Sequence, residues 1–130
     1  MHHHTGPILI LEDQPLIALD LEQQLAAAGF DNLTLLTSGA QAEAWLGLHR
    51  PDAAIIDIAL CDGDCTDVAR TLLVRTIPFI VHSGSPGDGA DPVFGHGRWV
   101  GKPARPGYLV TELQIALAAS CAARVDCDGN

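Results

Sequence analysis

Positive charge is scarce in this chain: of 130 residues seven are Lys or Arg against sixteen Asp and Glu, a formal charge of -9. The basic residues are scattered from Arg50 to Arg124, and Lys102 is the single lysine. Each phosphate contact on a polyanion needs a cationic partner, so the chain is not expected to bind DNA or RNA directly. Long apolar runs are missing too. None approaches the ~20 residues that span a bilayer, and Met1 to Pro7 lacks the basic stretch and apolar core of a secretory signal. These absences predict a cytoplasmic protein without a membrane partner. Cys61, Cys65, Cys121 and Cys127 form no C-x-x-C pair and no zinc framework, which predicts reduced thiols. Repeats, linkers and low-complexity tracts are absent. What remains is a chain with 48% hydrophobic and 18% charged residues, too apolar for disorder and of a length for one domain.

Short apolar runs alternate with helical patterns along that domain. Ile8-Leu9-Ile10-Leu11 suits a strand buried on both faces. Pro15 fits the first turn of a helix, Ile17, Leu21, Leu25 and Ala28 recur at helical spacing, and Gly29 supplies the stop. Leu33 to Leu36 reads as a second strand. Ser38 and Gln41 have capping-box spacing before a helix through Trp45 and Leu46. Ala53 to Asp57 is a third strand with an acid at its end, followed by a helix from Thr66 to about Arg75, with Asp64 or Thr66 as its cap. Ile77 to Val81 is a fourth strand and Arg98 to Val100 a fifth, and the last helix runs from Pro106 to about Ala123. Gly84 to Gly97, rich in glycine and proline, predicts a short or poorly formed helix and the highest mobility. Five strands and about five helices in this rhythm predict a small, doubly wound α/β sandwich with a parallel sheet.

Open sheets of this kind bind ligands at the carboxyl ends of their strands. There the sequence places Glu12-Asp13 after strand one, Asp57 at the end of strand three, His82-Ser83 after strand four and Lys102-Pro103 after strand five. Carboxylates held close repel one another, and a divalent cation relieves that repulsion. Oxygen ligands with retained waters suit Mg²⁺ (or Mn²⁺). A carboxylate nucleophile, a metal, a lysine and a hydroxyl can together accept a phosphoryl group. His82 reads as a packed histidine. Asp62, Asp64 and Asp67 fail the calcium-loop pattern, because Ala59 and Cys61 stand where it needs acids.

Glu12-Asp13, Asp57 within Ile55-Ile56-Asp57-Ile58, Ser83-Gly84 and Lys102-Pro103 occur in the order found in response regulators. The chain from Pro7 to Ala123 thus resembles the receiver domain of two-component response regulators. The Ile77-Pro78-Phe79-Ile80 run is similar to a mostly alphaproteobacterial subgroup, which carries Phe-Ala-Thr-Gly-Tyr where this chain has Ile80 to Gly84. The resemblance implies a flavodoxin-like receiver fold with five parallel strands in the order 2-1-3-4-5. It implies Asp57 as phosphoacceptor, with Asp13, Glu12, Asp57 and the backbone carbonyl of Ala59 around Mg²⁺. Lys102 and Ser83 would contact the phosphoryl oxygens, and Ser83 and Trp99 would form the switch. The implied partners are a histidine kinase or phosphotransfer protein and a downstream protein target, and a phosphorylation-linked homodimer is compatible with the family.

The expectation is a receiver domain over residues 7–123, with 1–6 a tag remnant or disordered N-terminus and 124–130 a tail, acting as a phosphoacceptor rather than a turnover enzyme. Three rivals stand beside it. The first is the same domain cut from a hybrid kinase or longer regulator. The second is an aspartate-nucleophile phosphohydrolase, which typically carries a second aspartate two residues after the first, where this chain has Ala59. The third, a flavodoxin-like cofactor binder, wants a Ser/Thr-rich loop in place of Glu12-Asp13-Gln14-Pro15.

Overall fold

The computed structural model describes residues 4–60, 63–84, 90–105 and 107–127. Five strands, β1 (Ile8–Leu11), β2 (Leu33–Leu36), β3 (Ala53–Ile56), β4 (Phe79–Ser83) and β5 (Arg98–Gly101), pair in parallel in the order 2-1-3-4-5. This is the doubly wound flavodoxin-like architecture. Its helices are α1 (Pro15–Ala27), α2 (Gly39–Leu46), α3 (Thr66–Val74) and α4 (Tyr108–Cys127). Among the described residues four α-helices stand where about five helices were expected. The remaining position, between β4 and β5, holds a 3-10 turn over Pro92–His96. Among the described residues no helix is long and apolar enough to cross a membrane.

The central strands explain the continuous apolar runs. Every residue of β1 and β3 is buried, because successive side chains feed two cores. Leu9, Leu11, Ala54, Ile56 and Val81 face α2 and α3, where Ala42, Leu46, Val68 and Leu72 meet them. Ile8, Ile10, Ile55, Ile80 and Val100 face α1 and α4, against Leu21, Leu25, Leu109 and Leu113. The Gly/Pro-rich segment is fastened to the first core by Val93 and Phe94, and Asp91 accepts a hydrogen bond from the Val93 amide. The expected mobility of that segment falls largely on 85–89, outside the described residues. At the other end of the chain His4 bridges Phe30 and its Nε2 lies 2.8 Å from Asp52 Oδ2. The expectation of a loose N-terminus therefore does not extend to His4.

Some expected boundaries move, each for a local reason. β4 starts at Phe79 and runs to Ser83, where Ile77 to Val81 was expected. The Ile77 amide is spent on Leu72 O at the end of α3, and Pro78 has no N–H to give. Cys65, rather than Asp64 or Thr66, precedes the first turn of α3. β5 gains Gly101. α4 begins at Tyr108 and continues past Ala123 to Cys127, so the expected tail is in part helix. Between β3 and α3 a two-residue antiparallel ribbon, Ala59–Leu60 against Gly63–Asp64, was not foreseen.

α1 and α3 end in the same way. Phe30 N bonds Leu25 O and Gly29 N bonds Ala26 O after α1, and Ile77 N bonds Leu72 O and Thr76 N bonds Leu73 O after α3. This double closure places one residue in the left-handed region. In α1 that residue is Gly29 at φ 99°, and in α3 it is Thr76 at φ 56°, where a β-branched side chain is strained. Thr76→Gly is expected to raise stability by about 1 kcal/mol in urea unfolding, with loss of stability as the contrary result.

Candidate functional site

The ladder that builds the sheet also gathers the polar residues. Glu12 N bonds Leu36 O at 3.0 Å, Asp57 N bonds Leu11 O at 3.0 Å and Lys102 N bonds Ser83 O at 2.9 Å, so pairing continues one residue beyond the strand ends. Glu12, Asp57, Ser83 and Lys102 are thereby held by backbone hydrogen bonds at one edge. The Lys102–Pro103 peptide is cis.

One ammonium serves two carboxylates there. Lys102 Nζ lies 2.7 Å from Glu12 Oε1 and 2.8 Å from Asp57 Oδ2. Glu12 is 1% exposed and Asp57 7%. Glu12 Oε2 also accepts the Gln14 amide at 3.1 Å, which ties the acid to the first turn of α1. Burial raises the Glu12 pKa above its ordinary value, against the pull of the Lys102 hydrogen bond and charge. Burial also works against the Lys102 ammonium, but the hydrogen bonds and charges of Asp57 and Glu12 outweigh it and hold that pKa above its ordinary value.

Glu12, Asp13 and Asp57 each offer an oxygen, all within 4.8 Å of one another. Three carboxylates with one ammonium leave negative charge in excess. Hard oxygen donors in a partly buried cluster of this charge fit a divalent cation of the Mg²⁺ type. The structure thus brings together Glu12, Asp13, Asp57 and Lys102 as the sequence led one to expect. Ser83 is buried and lines, with Asp57 and Lys102, a cleft of about 660 Å³ that continues between α1 and α4. Ala59 sits two residues past Asp57, in the backbone ribbon.

Trp99 stands apart from this cluster. It lies on edge strand β5, 36% exposed, and its indole Nε1 donates to Phe94 O at 3.0 Å. The bond ties the strand to the 3-10 turn.

Two further side chains belong to the neighbourhood. His82, read as a packed histidine, is buried and also lines the cleft, and its Nδ1 has no hydrogen-bond partner among the described residues. Burial, and secondarily the Lys102 charge, push its pKa down to about 4, so the ring is neutral near pH 7. The thiol of Cys65 donates to Asp57 O at 2.9 Å. Sequence spacing places Cys65 eight residues on without revealing the contact, because the chain must double back through the ribbon to make it.

No protein-family model matches the chain. Among curated proteins, it is similar to the transcriptional regulatory protein PdtaR of Mycobacterium tuberculosis, 32% identical over 74 residues. That alignment takes in 57% of this chain and 36% of PdtaR, so only about a third of that protein is matched. Among solved structures, the receiver domain of a signal transduction histidine kinase from Syntrophus aciditrophicus superposes with a TM-score of 0.77 at 29% identity, covering 88% of this chain and 92% of that one. The receiver domain of a sensor histidine kinase from Pseudomonas aeruginosa gives 0.76 at 25%, covering 88% and 99%, and holds a magnesium ion in its active-site cleft.

Proposed function

We propose that this receiver domain of the response-regulator class takes a phosphoryl group onto the Asp57 carboxylate from a phosphohistidine of a histidine kinase or phosphotransfer protein. One observation carries the reading: Lys102 Nζ bridges Asp57 Oδ2 and Glu12 Oε1 at the carboxyl edge of the parallel sheet, beside Asp13. An oxygen of Asp57 attacks phosphorus in line, an O–P bond forms, and the P–N bond to the donor imidazole breaks. Glu12, Asp13, Asp57 and the Ala59 carbonyl would hold Mg²⁺, which when bound supplies positive charge against the phosphoryl oxygens.

The protein's own part is electrostatic. Lys102 is already within hydrogen-bond distance of the attacking carboxylate and can pass its contact to a phosphoryl oxygen. Ser83 has a hydroxyl to donate to a second one. The acyl phosphate carries about -1.5 to -2 charges where the carboxylate carried one, and spreads them over the phosphoryl oxygens, which draws these donors in. Ser83 and Trp99 then form the route to a downstream protein or to a second copy of the chain. The chain acts as a cytoplasmic phosphoacceptor, with at most slow self-phosphorylation and self-dephosphorylation.

Incubation with Mg²⁺ and acetyl phosphate tests this by intact mass. The expected result is one labile phosphoryl adduct, absent from Asp57→Asn and absent without the metal. An adduct that survives in Asp57→Asn, or continuous phosphate release at high turnover, contradicts it.

A further inference from the structure

The peptide groups on both sides of the Asp57 Cα are held, by different means. On the amino side, Asp57 N donates to Leu11 O at 3.0 Å, a backbone bond that continues the β1–β3 pairing. On the carboxyl side, Asp57 O accepts from Cys65 Sγ at 2.9 Å, a contact that one substitution removes. Cys65 is firmly seated. It is 1% exposed, packs in the core with Val68, Ala69 and Leu72, and opens α3, where its side chain makes no capping bond. Its one hydrogen is directed at the Asp57 carbonyl instead. A thiol suits the place, since it packs as a small apolar group and still carries a weak donor.

We infer that Cys65 is a positioning residue for Asp57: its thiol fixes the Asp57–Ile58 peptide plane and thereby the aim of the Asp57 carboxylate. The inference rests on the reading of Asp57 as phosphoacceptor and adds to it a residue outside the acid cluster. The same plane leads into Ala59, so its tilt also sets the start of the ribbon. Loss of the thiol bond would loosen the Asp57 carbonyl and let the carboxylate sample directions that neither Lys102 nor a metal shared with Glu12 and Asp13 can use. Groups that hold a ligand from behind commonly change metal affinity when removed.

The test compares Cys65→Ala, which lacks the donor, with Cys65→Ser, which keeps one. In the metal-free protein the Ile58 amide resonance should shift in Cys65→Ala and stay closer to wild type in Cys65→Ser, because an amide senses the bond to its own carbonyl. By calorimetry Cys65→Ala should bind Mg²⁺ roughly three- to tenfold more weakly, with Cys65→Ser within about twofold of wild type. Phosphorylation of Asp57 from acetyl phosphate should slow in parallel. A folded Cys65→Ala with unchanged Ile58 resonance and Mg²⁺ affinity overturns the inference. A Cys65→Ser that fails as badly as Cys65→Ala overturns it also, since packing would then be the cause.

Should Cys65→Ala not fold, the infrared S–H stretch decides, identified by its loss in Cys65→Ser. A band lowered by hydrogen bonding supports the inference, and one at the free-thiol position overturns it. Wild type that takes no phosphoryl group on Asp57 refutes the functional reading, while the Ile58 and S–H measurements still judge the hydrogen bond itself.

Discussion

Lys102→Met is expected to lose roughly 2–4 kcal/mol of folding stability in metal-free buffer, and Mg²⁺ should restore much of it. The substitution keeps the aliphatic stem and removes the charge that sits between Glu12 Oε1 and Asp57 Oδ2. Two carboxylates then face each other with almost no water. The loss lies toward the lower part of the range for a broken buried pair, because Lys102 and Asp57 keep 13% and 10% of their side chains exposed. A divalent cation between Glu12, Asp13 and Asp57 replaces the missing charge, so the Mg²⁺-induced rise in urea midpoint should be larger in Lys102→Met than in wild type. Acid should help as well. The Glu12 pKa already lies above its ordinary value and must rise further without Lys102, so the variant takes up a proton and recovers stability as pH falls toward it. Equal Mg²⁺ responses in the two proteins would show that Lys102 and the metal do not serve the same oxygens. Phosphorylation should remain impaired in either case, because the metal cannot replace the ammonium at the attacking carboxylate.

The second large effect concerns acid stability. His82 is buried at the end of β4, with its pKa lowered to about 4 from an ordinary 6.5. Below pH 6.5 the unfolded chain binds a proton at this residue that the folded chain refuses. The unfolded state therefore gains on acidification, and stability falls with pH from about 6.5 down to about 4. Full development of this difference corresponds to roughly 3 kcal/mol. The facing charges act in opposite directions: Lys102 disfavours the imidazolium and Asp57 favours it, with burial the leading cause. Glu12 works against the trend, since a raised carboxyl pKa adds stability as pH falls. The comparison that isolates His82 is the urea stability of wild type and His82→Leu at pH 7 and pH 4.5 without metal. His82→Leu should show the smaller acid loss, by about 2 kcal/mol, and parallel curves would remove His82 as the cause.

The acid–lysine site was legible because it depends on two features a sequence displays directly. Continuous apolar runs such as Ile8 to Leu11 and Ala53 to Ile56 mark strands buried on both faces, and the polar residue that ends such a run marks the sheet edge. Glu12 and Asp57 follow from that alone, and Lys102 from being the single lysine, just past the short strand Arg98 to Val100. Boundaries set by closure of a helix end were less legible. Thr76 takes the left-handed position that glycine usually fills, so nothing in the sequence warned that Ile77 closes α3 rather than opening β4. After Ala123 the chain offers no glycine or proline until Gly129, and α4 simply continues to Cys127. The Cys65 thiol was hidden for another reason. Its partner is a backbone carbonyl, which every residue has, and only the return of the chain through the ribbon selects that of Asp57.

The bond from Trp99 to Phe94 O gives the molecule a built-in optical gauge. An indole whose N–H is held by a carbonyl emits differently from one whose N–H is open to solvent. The colour of Trp99 emission therefore reports whether the turn and the edge strand remain joined. The second indole, Trp45 on α2, stacks on His49 with ring centroids 4.7 Å apart, so Trp45→Phe leaves a spectrum that speaks for the edge strand alone.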